Sequence, residues 1–165
     1  MNECHSFPAS IDANCRILIL GSMPGEASLQ QQQYYAHPQN RFWPMICNIL
    51  NSSTVPSSYE NRLKLLLDHN IGLWDSLAFC ERSGSLDSAI KKEQPNDFPS
   101  LFKNYPQIKK ICFNGGKAFQ SFKKHHKDLL QDTKKEFIAL PSTSPANARW
   151  QMPKLLDAWK AALQP

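Results

Sequence analysis

A turn of eight residues, Gly21–Ser28, contains groups that could bind a polar ligand. Its sequence is GSMPGEAS, and it directly follows an apolar stretch. Two glycines and a proline favour a tight turn, and the backbone N–H groups of such a turn can point into a cleft. The same residues would also suit a plain strand-to-helix connection or a generic anion-binding loop. The turn therefore indicates a candidate site without identifying its ligand.

A second segment, Tyr34–Trp43, concentrates aromatic rings, an imidazole and a carboxamide in the sequence YYAHPQNRFW. Asn40 stands just before a helical pattern, where asparagine commonly caps the helix, but its amide could equally serve a site. His37 precedes a proline and could either fix the loop or act as an acid or hydrogen-bond donor. One of the two tyrosines could offer an exposed face on which a base stacks.

The third segment, Leu140–Trp150, is a proline-braced loop with the sequence LPSTSPANARW. Its hydroxyls and backbone amides suit the phosphate oxygens of a nucleic acid, and Arg149 could reach DNA. A hydroxyl-rich surface turn would have the same composition. Combined with the aromatic and amide groups of the second segment and a net charge of +5, the loop favours a nucleic-acid site.

Four apolar stretches are predicted as the strands that position these segments. Each is short and rich in branched or aromatic residues, and its continuous apolarity is typical of strands buried on both faces of a parallel sheet. The polar stretch Glu81–Asn96 is predicted as an irregular connection. The predicted strands are Arg16–Leu20, Ile71–Asp75, Lys110–Asn114 and Glu136–Leu140.

Helical patterns alternate with these strands. Apolar residues recur at helical spacing in Arg41–Leu50, a capping box at Ser57–Glu60 begins another helix, and two more begin near Gly116 and at Pro153. This alternation predicts an α/β fold, a three-layer α/β/α sandwich with a central, mainly parallel four-stranded sheet in one domain spanning 1–165. Ligands of such sheets bind beyond the carboxyl ends of the strands, where the first and third segments lie.

The composition argues against several classes of protein. There is no run of about 18 apolar residues that could span a membrane, and residues 1–8 lack the pattern of a secretory signal. Five scattered cysteines without a C-x-x-C pair predict reduced, buried thiols and neither disulfides nor a metal site. We therefore expect a cytoplasmic monomer without a metal ion or organic cofactor.

The three segments together resemble the motifs of the uracil-DNA glycosylase superfamily. Within it, the sequence is most similar to the hypoxanthine (deoxyinosine) DNA glycosylase branch, which is related to the mismatch-specific uracil-DNA glycosylases. The similarity covers nearly the whole chain, with the blocks in the expected order. They are GSMPGEAS (Gly21–Ser28), AHPQNRFW (Ala36–Trp43), GLWDSLAFCERSGSLDSAI (Gly72–Ile90), FNGGKAF (Phe113–Phe119) and LPSTSPANA (Leu140–Ala148).

Two catalytic side chains of other branches are absent from this sequence. Mismatch-specific relatives carry a catalytic Asn two residues after the first Gly of the first motif, where this chain has Met23. Other branches place a His at the start of the last motif, where this chain has Leu140. The resemblance implies that the deoxyinosine branch uses the Asn of the HPxNxFW block instead. That residue is Asn40, whose carboxamide we expect to orient the attacking water.

The resemblance also implies roles for the remaining groups. A base flipped out of the duplex would stack on Tyr35, and backbone amides of the turn Ser22–Gly25 would stabilise the departing base. The loop Ser142–Arg149 would grip phosphates and wedge into the gap left in the duplex. The predicted base pocket comprises Gly21, Ser22, Met23, Pro24, Gly25, Tyr35 and His37, and the predicted DNA contacts are Ser28, Ser142, Thr143, Ser144, Asn147 and Arg149.

These features predict a cofactor-free DNA glycosylase that hydrolyses the N-glycosidic bond of a deaminated base. The expected substrate is hypoxanthine, with uracil as the second candidate, in damaged double-stranded DNA; the sequence leaves activity on single-stranded DNA open. Two alternatives stay open: a uracil-preferring mismatch glycosylase, and a catalytically inactive protein that binds damaged DNA. A nucleotide-binding α/β module is disfavoured, because G-x-G-x-x-G and a Walker-type lysine are both missing.

Overall fold

Two β-sheets and six helices account for residues 2–164, the part of the chain that this computed structural model describes. The strands are β1 (Asn2–His5), β2 (Ile17–Gly21), β3 (Ile71–Asp75), β4 (Leu77–Arg82), β5 (Lys91–Pro95), β6 (Lys110–Asn114) and β7 (Glu136–Leu140). The helices are α1 (Glu26–Gln31), α2 (Phe42–Ile49), α3 (Tyr59–Asp68), α4 (Phe98–Asn104), α5 (Gly116–His125) and α6 (Met152–Leu163).

The four predicted strands form the central sheet, in the order β3-β2-β6-β7. Every neighbouring pair in it is parallel, so the sheet is wholly and not merely mainly parallel. The bounds of β3, β6 and β7 agree with the prediction, and β2 lies one residue later than predicted. All four carboxyl ends therefore meet at one edge of the sheet, as the sequence predicted.

Helices cover both faces of this sheet, which confirms the three-layer α/β/α sandwich. Alternate residues of β2 show the division: Ile19 packs in a core with Phe42 of α2 and Trp159 of α6. Leu18 and Leu20 face the other way and pack with residues of α4 and α5. Since both faces are buried, the strand needs the continuous apolarity seen in its sequence.

A second, antiparallel sheet of order β1-β4-β5 lies beyond the end of β3. The prediction of an irregular connection over Glu81–Asn96 is therefore wrong. This stretch contains the end of β4, a 3₁₀ turn at Asp87–Ala89 and all of β5. The sequence of β5 is KKEQP, which lacks an apolar face, and its backbone is ordered by pairing with β4. Hydrophobic periodicity cannot reveal such an exposed strand.

The helices differ from the prediction at one helix start and in number. Helix α3 is capped by Ser58, whose side chain accepts from the Asn61 N–H, so the cap lies one residue after the predicted box at Ser57. Helices α1 and α4 had no counterpart in the prediction. No helix within residues 2–164 is long and apolar enough to cross a membrane.

Candidate active site

A cleft of about 880 Å³ opens at the carboxyl ends of the parallel strands. Its walls come from the chain segments that follow β2, β3, β6 and β7. Of the predicted site residues, only Arg149 does not line the cleft, and it is exposed on the outer part of the last loop. The residues that line it are Gly21, Ser22, Met23, Pro24, Gly25, Ser28, Tyr35, His37, Asn40, Ser142, Thr143, Ser144 and Asn147.

The carboxamide of Asn40 is held in one orientation. Its Oδ1 accepts from the Phe42 N–H at 2.9 Å and from the Thr143 hydroxyl at 2.9 Å. Both acceptor positions of the oxygen are thus used. Arg41 rather than Asn40 is the N-cap residue of α2, although the Asn40 oxygen accepts from the first N–H of that helix. Within residues 2–164 the Asn40 Nδ2 has no hydrogen-bond partner, so this N–H group is the one left for a ligand.

Thr143 connects Asn40 to the end of strand β6. Its hydroxyl accepts from Asn114 Nδ2 at 3.0 Å, and its backbone N–H donates to Asn114 Oδ1 at 2.9 Å. The Thr143 side chain is fully buried. The contact between Thr143 and DNA stays a prediction, and in this structure the Thr143 hydroxyl is bonded to the two asparagines inside the wall.

Arg41, which the sequence analysis missed, braces the loop between β7 and α6. Its guanidinium donates to the backbone carbonyl oxygens of Thr143, Ser144, Asn147 and Trp150, with a distance of 2.8 Å to Ser144. One side chain adjacent to Asn40 thus holds most of the loop by its backbone. In the sequence, Arg41 is marked only by its position between Asn40 and an apolar helix. That position does not reveal partners about 100 residues later in the chain.

Asp75, the last residue of β3, is a second functional candidate that the sequence analysis missed. It lines the cleft but is only 3% exposed, and within residues 2–164 its Oδ2 has no hydrogen-bond partner. Burial, together with the nearby Asp87 carboxylate, raises the pKa of Asp75 to about 8. Below that pH the carboxyl is neutral and can both donate and accept a hydrogen bond.

Gly21 makes room for this carboxyl, and the Tyr35 hydroxyl lies beside the same glycine. A Cβ atom on Gly21 would lie 2.7 Å from Asp75 Oδ1, so a larger residue would collide with it. The Tyr35 hydroxyl is also buried without a partner among the described residues, and burial raises the pKa of Tyr35. The Tyr35 ring stacks on Phe42 with centroids 4.1 Å apart, so one of its faces is already covered.

The turn after β2 is fixed to the connection between β4 and β5. The Ser22 hydroxyl donates to Asp87 Oδ1 at 2.6 Å, and the Glu26 N–H donates to Ser85 Oγ at 2.9 Å. Ser28 is buried and its hydroxyl accepts from the Ala36 N–H at 3.1 Å. The contact between Ser28 and DNA stays a prediction, and in this structure the Ser28 hydroxyl joins the first and second segments inside the wall.

The two positions at which other branches carry catalytic side chains are filled by packing residues. Met23 is buried in a small cluster with Cys4, Leu77 and Cys80. Leu140 belongs to the core between the sheet and helices α2 and α6. Both side chains contribute apolar burial, and the polar side chains of the cleft come from other positions, Asn40 and Asp75 among them.

His37 lies at the open side of the cleft. Its Nδ1 accepts from the Gln39 N–H at 3.1 Å, which leaves Nε2 as the protonated nitrogen of the neutral ring. Among residues 2–164 there is no group of three or more His, Cys, Asp or Glu residues with the geometry to hold a metal ion.

Comparison with known proteins identifies the family. The model of the uracil DNA glycosylase superfamily matches residues 8–164. The hypoxanthine DNA glycosylase of Methanosarcina acetivorans is 39% identical over 158 residues, 96% of each chain. The enzyme of the same name from Methanosarcina barkeri is 39% identical over 143 residues, 87% of each chain.

A solved structure agrees with these matches. The solution NMR structure of a Methanosarcina acetivorans protein, provisionally described as a uracil DNA glycosylase, has a TM-score of 0.83 and 38% sequence identity to this chain. The similarity covers 98% of this chain and 97% of that one. With its parallel sheet, its cleft at the strand ends and these relatives, the chain belongs to the uracil DNA glycosylase superfamily and is a DNA glycosylase.

Proposed function

We propose that this glycosylase removes hypoxanthine from DNA by hydrolysing the N-glycosidic bond of deoxyinosine, and that uracil is a secondary substrate. The observation that carries the proposal is the fixed Asn40 carboxamide in the cleft of a chain whose full-length relatives are named hypoxanthine DNA glycosylases. Because a base in a duplex is inaccessible, the nucleotide is flipped into the cleft before the reaction.

In this proposal Asn40 orients the attacking water. Its Oδ1 already accepts two hydrogen bonds, so the Nδ2 group donates to the oxygen of the water and holds it against the sugar. The water oxygen bonds to C1′ as the C1′–N9 bond breaks, and the bonding electron pair leaves with the base. The proton that the water loses ends on the departing base and neutralises its negative charge. The products are therefore the free base and an abasic deoxyribose.

Asp75 supplies a hydrogen-bonding partner for the base. Hypoxanthine presents a ring N–H beside a carbonyl oxygen, and a neutral carboxyl offers one acceptor and one donor to that pair. Its donated hydrogen bond would strengthen as negative charge develops on the base. Uracil has the same N–H and carbonyl arrangement, which is the reason for proposing it as the second substrate.

The surface around the cleft supplies the contacts with DNA. Ser142, Ser144, Asn147 and Arg149 lie on the loop that Arg41 braces, and the chain carries a net charge of +5. We assign to this loop the grip on phosphates and the wedge that fills the gap left by the flipped nucleotide.

The test is base release from end-labelled duplexes carrying deoxyinosine or deoxyuridine, followed by alkaline strand cleavage. The wild-type protein should cut both, deoxyinosine faster, and Asn40→Ala should lose about 10²–10³-fold in rate, the typical effect of removing a preorganised group. Gln39→Ala is the matched control, because its exposed side chain does not line the cleft. Undiminished cleavage by Asn40→Ala would contradict the role of Asn40.

A binding protein without catalysis is the second candidate, because Met23 and Leu140 occupy the positions of catalytic groups in other branches. Such a protein would retain damaged duplex in a gel-shift assay and release neither base. A faster release of uracil than of hypoxanthine would instead support the uracil-preferring alternative.

A further inference from the structure

Arg82, the last residue of β4, is buried with almost none of its hydrogen-bonding capacity used. It is only 1% exposed, and its Nη2 donates to the Pro24 carbonyl oxygen at 2.5 Å. Within residues 2–164, Nε and Nη1 have no hydrogen-bond partner, and no carboxylate forms an ion pair with the guanidinium. Arg82 is thus a buried cation whose one side-chain hydrogen bond among the described residues is to the turn that lines the cleft.

Burial of such a cation opposes folding. A charge removed from water is normally paired with an opposite charge, and an apolar residue of similar volume would often give an equally or more stable protein. Packing therefore gives no reason for an arginine at this position. A role in the reaction does give a reason, because functional sites tolerate destabilising groups.

The contact with Pro24 determines which way a backbone donor points. The residues in question have trans peptide bonds, and in a planar trans peptide the C=O and the following N–H point in opposite directions. Arg82 holds the Pro24 oxygen inside the protein. Since Pro24 and Gly25 both line the cleft, the Gly25 N–H on the opposite side of this peptide is turned towards the cleft. This N–H has no acceptor among the described residues.

We propose that Arg82 is a positioning residue for base removal: it fixes the Pro24–Gly25 peptide with its N–H facing the cleft and places a permanent positive charge behind that peptide. Both effects stabilise the negative charge that develops on the departing base, in a cleft without the histidine of other branches. This inference rests on the proposed function and assigns a group that favours the transition state over the bound substrate.

The test compares Arg82→Met with Arg62→Met. Arg62 also donates to a proline carbonyl, that of Pro56 at 2.7 Å, but it lies outside the cleft. Arg82→Met should lower the single-turnover rate of hypoxanthine release about 10- to 100-fold, leave the half-saturating concentration of duplex within about 3-fold, and not lower the unfolding temperature. Arg62→Met should keep the wild-type rate.

Arg82→Lys should recover at least part of the lost rate, since it restores the buried charge. An unchanged rate in Arg82→Met would overturn the inference, as would a lower unfolding temperature accompanied by an equal loss of duplex binding. Failure of the wild-type protein to release the base in the same assay would instead overturn the proposed function.

A measurement on the wild-type protein covers the case in which the variants do not fold. The Gly25 amide resonance is followed in ¹H–¹⁵N spectra during titration with duplex carrying a 2′-fluoroarabino analogue of deoxyinosine, whose glycosidic bond resists hydrolysis. The Gly25 proton should move downfield as it donates to the base. An unmoved resonance at saturating duplex would overturn the inference.

Discussion

Asn40 and Asp75 face the same cleft but are held there in opposite ways. The Asn40 oxygen accepts two hydrogen bonds, which determine where its N–H points. Asp75 Oδ2 has no partner among the described residues, and burial determines its proton content instead. Hydrogen bonds thus fix the orientation of Asn40, whereas burial fixes the protonation state of Asp75. The two residues should therefore respond differently to substitution and to pH.

The largest effect that separates the two groups is expected from removal of the Asp75 carboxyl. Asp75→Ala should lower the rate of hypoxanthine release about 100-fold, because a donor to the departing base is lost. In the proposed mechanism, the neutral carboxyl is the active form in the wild type. Its pKa of about 8 predicts a rate that is constant below that pH and falls about 10-fold per pH unit above it.

Asp75→Asn keeps a donor and an acceptor but cannot ionise, so its rate should not fall above pH 8. A rate profile from pH 6 to 10 tests this.

The free energy of unfolding gives a second check on Asp75. Because the pKa of this carboxyl rises from 3.8 in the unfolded chain to about 8 on folding, its ionisation opposes folding. The stability it contributes is complete below pH 3.8 and is lost as the pH rises through about 8. Chemical denaturation at pH 9 should therefore find Asp75→Asn more stable than wild type, and equal stabilities would contradict the buried acid.

A smaller effect is expected when the orientation of Asn40 is loosened rather than its amide removed. Thr143→Val replaces the hydroxyl that donates to Asn40 Oδ1 by a methyl group of similar size. The rate should fall about 10-fold, and the free energy of unfolding should fall by about 1–3 kcal/mol because buried polar groups lose a partner. Thr143→Ser retains the hydroxyl and should recover most of the rate.

The pH profile distinguishes this effect from one on Asp75. Thr143→Val should keep the wild-type fall in rate above pH 8, since it leaves the Asp75 carboxyl in place. Equal rates for Thr143→Val and wild type would contradict the idea that the amide must be held in one orientation.

The contrast between the two groups also explains what the sequence could predict. Asn40 lies in a motif that combines aromatic rings, an imidazole and a carboxamide just before a helix, so the sequence alone indicates it as a candidate site residue. Asp75 ends the apolar run IGLWD, and the sequence pattern indicates only that it ends a strand. Its significance depends on burial among β2, Tyr35 and Asp87, which local patterns do not encode.

The same limit applies to the elements. The central strands were predicted to within one residue because each is apolar on both faces. Strand β5 was missed because pairing with β4, and not its own apolar pattern, orders it. Ser28 and Thr143 were assigned to DNA from their hydroxyls, whereas those hydroxyls bond within the protein. Composition identified polar groups correctly but could not identify their partners.

The smallest effect is expected at Arg149, which extends the comparison to a group held neither by hydrogen bonds nor by burial. It is exposed, and it lies on the loop braced by Arg41. As a contact to a phosphate, it should add affinity through released counterions without affecting the chemical step. Arg149→Gln should weaken duplex binding about 2- to 5-fold near 0.1 M salt and reduce the slope of log affinity against log salt by about one.

Fluorescence anisotropy over a series of salt concentrations measures this slope. Lys103→Gln is the matched control, because it removes an exposed charge at the end of α4 that does not line the cleft. The single-turnover rate at saturating duplex should be unchanged in both variants. A lower saturated rate in Arg149→Gln would mean that this side chain acts on the flipped nucleotide. Arg149 would then belong with Asn40, as a group that affects the chemical step, and not with the exposed groups that only add affinity.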